Sequence, residues 1–69
     1  MNKLMLSKDL YEIQAIKKAT DAFVELVQIS VQEDENYYVC LFEKCIYSQE
    51  QTIKEFENYL IDLCNTRES

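Results

Sequence analysis

Glycine, proline, histidine and tryptophan are all absent from the 69-residue chain. At the average usage of roughly 7% Gly and 5% Pro, about eight such residues are missing, so other side chains must make the turns. Without Gly, a phosphate-cradling loop of the P-loop or dinucleotide type is excluded. Without His, the commonest general base at neutral pH is gone, and with it Ser-His-Asp and Cys-His relays. Positive charge is scarce as well: 7 basic residues face 13 acidic ones, a net charge of −6. That balance opposes a nucleic-acid partner, whose phosphates need clustered Lys and Arg, and an anionic membrane surface. No apolar run approaches the roughly 20 residues that span a bilayer. The N-terminal segment has neither the apolar core nor the small-residue cleavage site of a signal peptide. The expectation is a cytoplasmic protein with no nucleic-acid and no membrane partner.

Cysteine is present but sparse. Cys40, Cys45 and Cys64 are odd in number and never stand in C-x-x-C spacing. A structural zinc site takes four Cys or His ligands and an iron–sulfur cluster needs a similar set, so the chain is short of ligands for either. A secreted disulfide scaffold of this length would be far richer in Cys. The three are read as reduced thiols acting as small hydrophobes, and no metal or cofactor is expected.

No linker, repeat or low-complexity tract interrupts the chain, so a single domain is expected over residues 1–69. Lys3-Leu4-Met5-Leu6-Ser7 is a short apolar strand. Asp9 and Glu12 have capping-box spacing, and Leu10, Ile13, Ile16, Ala19 and Phe23 recur at helical intervals, predicting a helix over residues 9–22. Val27, Ile29 and Val31 alternate with polar residues along a strand over 27–32. Glu33-Asp34-Glu35-Asn36 is a polar break in which Asp and Asn tolerate left-handed backbone. The apolar run over 37–42 then completes a β-hairpin and belongs in the sheet centre. Ser48 and Gln51 form a second capping signature. Ile53, Phe56, Leu60 and Leu63 form the apolar stripe of a helix over 49–65. The fold class is a two-layer α+β domain in the order β-α-β-β-α, a small three-stranded, mostly antiparallel sheet with two amphipathic helices.

If helices cover one face only, the other meets solvent or a partner. With Val39 and Leu41 pointing inward beside Val27, Ile29 and Val31, the open face would carry Tyr38, Cys40 and Phe42, an apolar patch that marks an interaction surface. Strand parity puts Lys44 on that same face. The alternative, that a helix, Tyr47 or the termini cover these side chains, stays open. Glu33-Asp34-Glu35 lacks the Gly and the downstream Glu of a calcium loop and reads as a solvated hairpin tip. Carboxylate pairs such as Glu55 with Asp62, or Glu43 with Glu50, lie on polar faces where nothing would perturb them for acid–base work. No catalytic residue is assigned.

Several segments resemble one family. Leu10-Tyr11 through Ala15, Lys18, Ala19 and Phe23 is similar to the start of the HxsD family, small proteins of the His-Xaa-Ser system. Tyr38-Val39-Cys40-Leu41 closing on Lys44 resembles the family's apolar strand that ends in a Lys. The run Phe56-Glu57-Asn58-Tyr59-Leu60-Ile61-Asp62 resembles the family's Phe-x-Asn-x-Leu-x-Asp run, followed by an Arg as Arg67 follows here. Glu12 stands where many members have Pro, and Arg67 falls about one place late. The resemblance implies an accessory protein and not a catalyst, encoded beside radical S-adenosylmethionine (radical SAM) enzymes that modify ribosomally made peptides. Any iron–sulfur cluster would belong to that enzyme.

The expected function is therefore a non-catalytic accessory module engaging a radical SAM enzyme, its precursor peptide, or both, by strand addition at a sheet edge. Tyr38, Phe42, Lys44, Ile29 and Asn58 are the candidate partner-binding residues. A small acidic inhibitor or mimic that fills a basic groove is the alternative, although its carboxylates would be arrayed over one surface. A homodimer burying the open sheet face is compatible with the first reading. If strand addition is right, proline at Ile29 or Leu6 abolishes partner binding while the rest stays folded; unchanged affinity in a titration counts against it.

Overall fold

The computed structural model describes residues 2–66. Three strands and two helices follow one another as β1 (Lys3–Ser7), α1 (Ile13–Ala22), β2 (Gln28–Glu33), β3 (Tyr37–Glu43) and α2 (Gln49–Thr66). The sheet order is β1-β3-β2 with both pairings antiparallel, so the most apolar strand is central, as its composition predicts. This is the expected α+β arrangement.

Each boundary has a local cause. Ser7 closes β1: its carbonyl accepts the Leu10 and Tyr11 N–H groups and its Oγ accepts the Asp9 N–H at 3.2 Å. Asp9 is held in that turn, so the predicted Asp9/Glu12 capping box does not form. The helix starts four residues later, with extended Glu12 as N-cap (φ −102°, ψ 145°). Leu10, predicted on the apolar stripe, is consequently exposed. α1 ends without Gly through a tight turn in which the Phe23 carbonyl accepts the Leu26 and Val27 N–H groups at 2.9 and 3.1 Å. At α2, Ser48 does act as the sequence predicts: its Oγ lies 3.5 Å from the Gln51 nitrogen, and its carbonyl accepts both the Thr52 N–H and Oγ1–H. The reciprocal arm of that box is not made, because the Gln51 amide donates to Glu55 instead.

The hairpin turn is closed by the Asp34 N–H donating to the Tyr37 carbonyl at 2.7 Å, with Asp34 Oδ1 accepting the Glu35 N–H. No left-handed residue is used there. The one non-glycine residue with positive φ among those described is Lys44, at 55°, at the end of β3. Such a conformation costs roughly 1–2 kcal/mol for a residue with a Cβ. It takes the place of the missing glycine where the chain must leave the sheet for α2.

Both helices pack on one face of the sheet. The buried layer contains Leu6 from β1, Cys40 and Phe42 from β3, Ala15, Ile16 and Ala19 from α1, Phe23 and Val27 from the turn that follows, and Phe56 and Leu60 from α2. Phe56 sits edge-to-face against Phe42 (centroids 5.2 Å apart) and against Phe23 (5.5 Å), and Phe23 also meets Tyr59 at 5.9 Å. Thr52, the buried polar residue of this layer, is satisfied by the Ser48 carbonyl at 2.8 Å.

The two leucines of the helical stripes separate buried from merely periodic positions. Leu60→Ala leaves a cavity in the core and costs about 2–5 kcal/mol, enough to unfold much of a domain this small at 25 °C. Leu10→Ala, at a side chain 73% exposed, changes stability by no more than about 0.5 kcal/mol. Urea melts of the two variants check both; equal losses would contradict the placement of the core.

Candidate interaction surface

The hairpin register decides which residues reach solvent. Ile29 pairs with Phe42, Val31 with Cys40 and Glu33 with Tyr38, while Leu4 and Leu6 of β1 pair with Cys40 and Tyr38. Directly paired residues share a face. The helix-covered face therefore carries Leu4, Leu6, Ile29, Val31, Tyr38, Cys40 and Phe42. This reverses the expected parity of β3: Val39 and Leu41 point outward, and Tyr38 and Phe42 point toward the helices. Closing a hairpin across Asp34 and Tyr37 puts an even number of residues in the turn. Odd-numbered residues of β2 then fall opposite even-numbered residues of β3.

The open face consists of four cross-strand rows. Gln28 with Glu43 forms the first, Lys3, Leu41 and Ser30 the second, Met5, Val39 and Gln32 the third, and Ser7 with Tyr37 the last. Its apolar centre is Met5, Val39, Leu41 and Tyr37, of which Met5 is 48% exposed. The signal that could have found it lies in β1, where Lys3, Met5 and Ser7 are visibly the less apolar alternation.

The expected partner-binding residues do not converge on one surface. Phe42 is fully buried, and Tyr38 is half-buried beneath Lys8, whose Nζ stands 5.4 Å from the ring centroid. Lys8 continues past that ring to Glu33, making an ion pair at 2.7 Å that joins the end of β1 to the end of β2. Ile29 is half-buried beside Phe42. Lys44 is exposed, but its left-handed backbone breaks strand parity, so it does not share a face with Tyr38 and Phe42. Asn58 is exposed on α2 and lines a shallow cleft with Ser48, Glu50, Gln51, Lys54 and Glu55. Arg67 lies outside the described residues.

The edges are the second element of the surface. The Phe42 N–H donates to the Asn2 carbonyl, and the Lys8 N–H to the Asn36 carbonyl. In an antiparallel ladder such pairs recur at every second residue. The even-numbered residues of β3 therefore bond to β1 and its odd-numbered residues to β2. It follows that Lys3 and Met5 on β1, and Ile29, Val31 and Glu33 on β2, aim their N–H and C=O groups away from the sheet. The two edges differ in their side chains. Beside β1 the helix-side residues are half-buried Leu4 and buried Leu6, whereas β2 leaves Val31 37% exposed on that side.

The cysteines supply little chemistry. Cys40 is buried between Leu4 and Val31 in the sheet, and burial pushes its thiol up to about 11 from 9.0. Tyr11 is also raised, by burial first and then by Glu57 and Cys64. Cys45 and Cys64 are half-buried free thiols. Among the described residues, no group of His, Cys, Asp and Glu is placed to hold a metal ion, and no helix is long and apolar enough to cross a membrane.

A three-stranded antiparallel sheet covered on one face by two helices, with an open face and two outer edges, defines a small α+β module. The family model described as His-Xaa-Ser system protein HxsD matches residues 6–69, and the chain belongs to the HxsD family. HxsD is an accessory protein family, and membership points to an accessory role in the His-Xaa-Ser system. No curated protein and no solved structure matches the chain.

The Cys40 environment has a measurable sign. A thiol whose folded pKa is raised holds its proton while the unfolded chain loses its own, so stability falls as pH rises from 9 toward 11. Tyr11 acts in the same direction at higher pH. Denaturant melts between pH 8 and 11 should show a shallower loss for Cys40→Ala than for the wild type. Thiol titration at pH 8 should find Cys40 unreactive until denaturant is added. Rapid modification of all three native thiols would contradict its burial.

Proposed function

We propose that this chain is a non-catalytic binding module of ribosomal peptide maturation. It engages a radical SAM enzyme, its precursor peptide, or both, by accepting an extended segment on the β2 edge. The observation that carries the reading is that edge, where Ile29 and Val31 present outward ladder groups next to an incompletely covered apolar shelf. An added strand would gain affinity from main-chain hydrogen bonds and specificity from alternate side chains. Beside Ile29 and Val31 its side chains would meet apolar surface; beside Ser30 and Gln32 they would meet polar surface. The segment recognised is accordingly one that alternates apolar and polar residues. Basic residues within it are favoured by the net charge of −6, which speeds encounter more than it tightens the complex. Membership in the HxsD family supports placing the chemistry of modification on a partner and the accessory role on this chain.

Parity also corrects the choice of test. The Leu6 N–H faces β3 and its side chain is buried, so proline there would break the sheet itself. Val31 and Met5 have outward N–H groups, the one orientation in which an edge strand tolerates proline. In titrations against a radical SAM enzyme and a precursor peptide of a His-Xaa-Ser system, Val31→Pro should weaken binding at least about tenfold, the equivalent of roughly one good hydrogen bond. Met5→Pro should bind as the wild type, and both should keep the wild-type circular dichroism spectrum. Loss confined to Met5→Pro would move the site to the β1 edge. Unaltered binding by both would contradict strand addition.

A further inference from the structure

We infer that β2 also pairs, edge to edge and antiparallel, with β2 of a second copy of this chain, about a two-fold axis passing beside Ser30. The inference stands without the proposed function, because it concerns the isolated chain. Three observations carry it.

The first is the match of the edge to itself. Its outward groups belong to Ile29, Val31 and Glu33, and the side chains of Ile29 and Val31 lie on the helix side of the sheet. Set Ser30 opposite Ser30 of the second copy. Ile29 then stands opposite Val31 of the copy, and Val31 opposite Ile29, in the two pairs that exchange ladder hydrogen bonds. Gln28 and Gln32 meet on the open face. Apolar meets apolar and polar meets polar along the paired segment. Shifting the axis to Val31 would instead bring Ile29 against Glu33, which is already held by Lys8 at 2.7 Å.

The second is charge. In a chain of net charge −6, residues 28–32 carry none, so two copies can approach along this strip without like charges facing each other. The third is the lack of any guard over residues 28–32, the helix-side charge of Glu33 standing one place beyond the paired segment. Edge strands are usually protected by an inward charge, a Lys, a Pro or a bulge. β2 has no Pro and no Lys, and its register with β3 runs without a bulge. β1 is shorter and carries Lys3.

The contact joins two short strands, well below the roughly 800 Å² per partner of stable interfaces, so the dimer is in concentration-dependent equilibrium with the monomer. It uses the same outward groups that an added peptide would take, so the two occupants exclude each other.

Sedimentation equilibrium at concentrations up to about 1 mM, at low and high salt, tests the pairing. A monomer–dimer equilibrium is expected, strengthened by salt because two −6 chains repel. Ser30→Lys places two ammonium groups side by side at the axis and should sediment as a monomer with an unchanged circular dichroism spectrum. In a Cys45→Ala/Cys64→Ala background, oxidised Ser30→Cys should run as a covalent dimer, since a directly opposed pair has disulfide-compatible spacing. Gln32→Cys should not. A monomer under all conditions overturns the inference, and so does a dimer that survives Ser30→Lys or that Ser30→Cys fails to cross-link.

Discussion

Phe56 is the side chain on which the molecule depends. Its ring lies edge-to-face on Phe42 at 82° and on Phe23 at 77°, so one residue of α2 locks the central strand and the turn after α1 together. Such pairs contribute about 0.5–1.5 kcal/mol each beyond their buried area. A chain of 69 residues has little stability in reserve. With Phe42 committed to that contact, the parity of β3 is set: Tyr38 and Cys40 must follow Phe42 inward, and Val39 and Leu41 must face out.

The exposure of the sheet follows from the same packing. Among the described residues, both helices lie on one face of the three-stranded sheet. The other face stays open, and an open sheet of three strands has two edges. Where other small proteins would spend Gly or Pro, this one uses a Ser7 turn, a Ser48 cap and a left-handed Lys44. The hairpin tip is tied by the Lys8–Glu33 pair, partly exposed and so of modest energetic weight; its effect is to hold the far end of β2 in register. The titratable groups with raised pKa values, Cys40 and Tyr11, owe them first to burial, the signature of packing and not of a reactive site.

Much of this architecture is legible in the amino-acid sequence. Strand β1 and helix α2 follow from uninterrupted periodicity, and β3 is central because it is apolar on both sides of its alternation. That same property hid its orientation. Tyr37, Val39 and Leu41 are as apolar as Tyr38, Cys40 and Phe42, so composition alone does not choose between the two faces. Turn length carries the choice over from β2: the Asp34–Tyr37 closure sets Ile29 and Val31 opposite Phe42 and Cys40, the side on which Phe56 packs. Asp9 misled for a different reason: Ser7, two residues earlier, competes for the same backbone and wins the turn. The family was legible because its short runs survive in the apolar strand and the last helix. Tyr38 and Phe42 belong to that strand, and in the structure Phe42 is a core residue and Tyr38 packs half-buried against the core.

The central claim is the phase of β2: Ile29 and Val31 inward by side chain and outward by backbone, and Ser30 and Gln32 the reverse. Residue-resolved amide hydrogen exchange on dilute protein reads that phase directly. The account predicts slow exchange at Gln28, Ser30 and Gln32, whose amides bond to β3, and fast exchange at Ile29 and Val31. The opposite alternation, or uniform protection along the strand in the monomer, would contradict it.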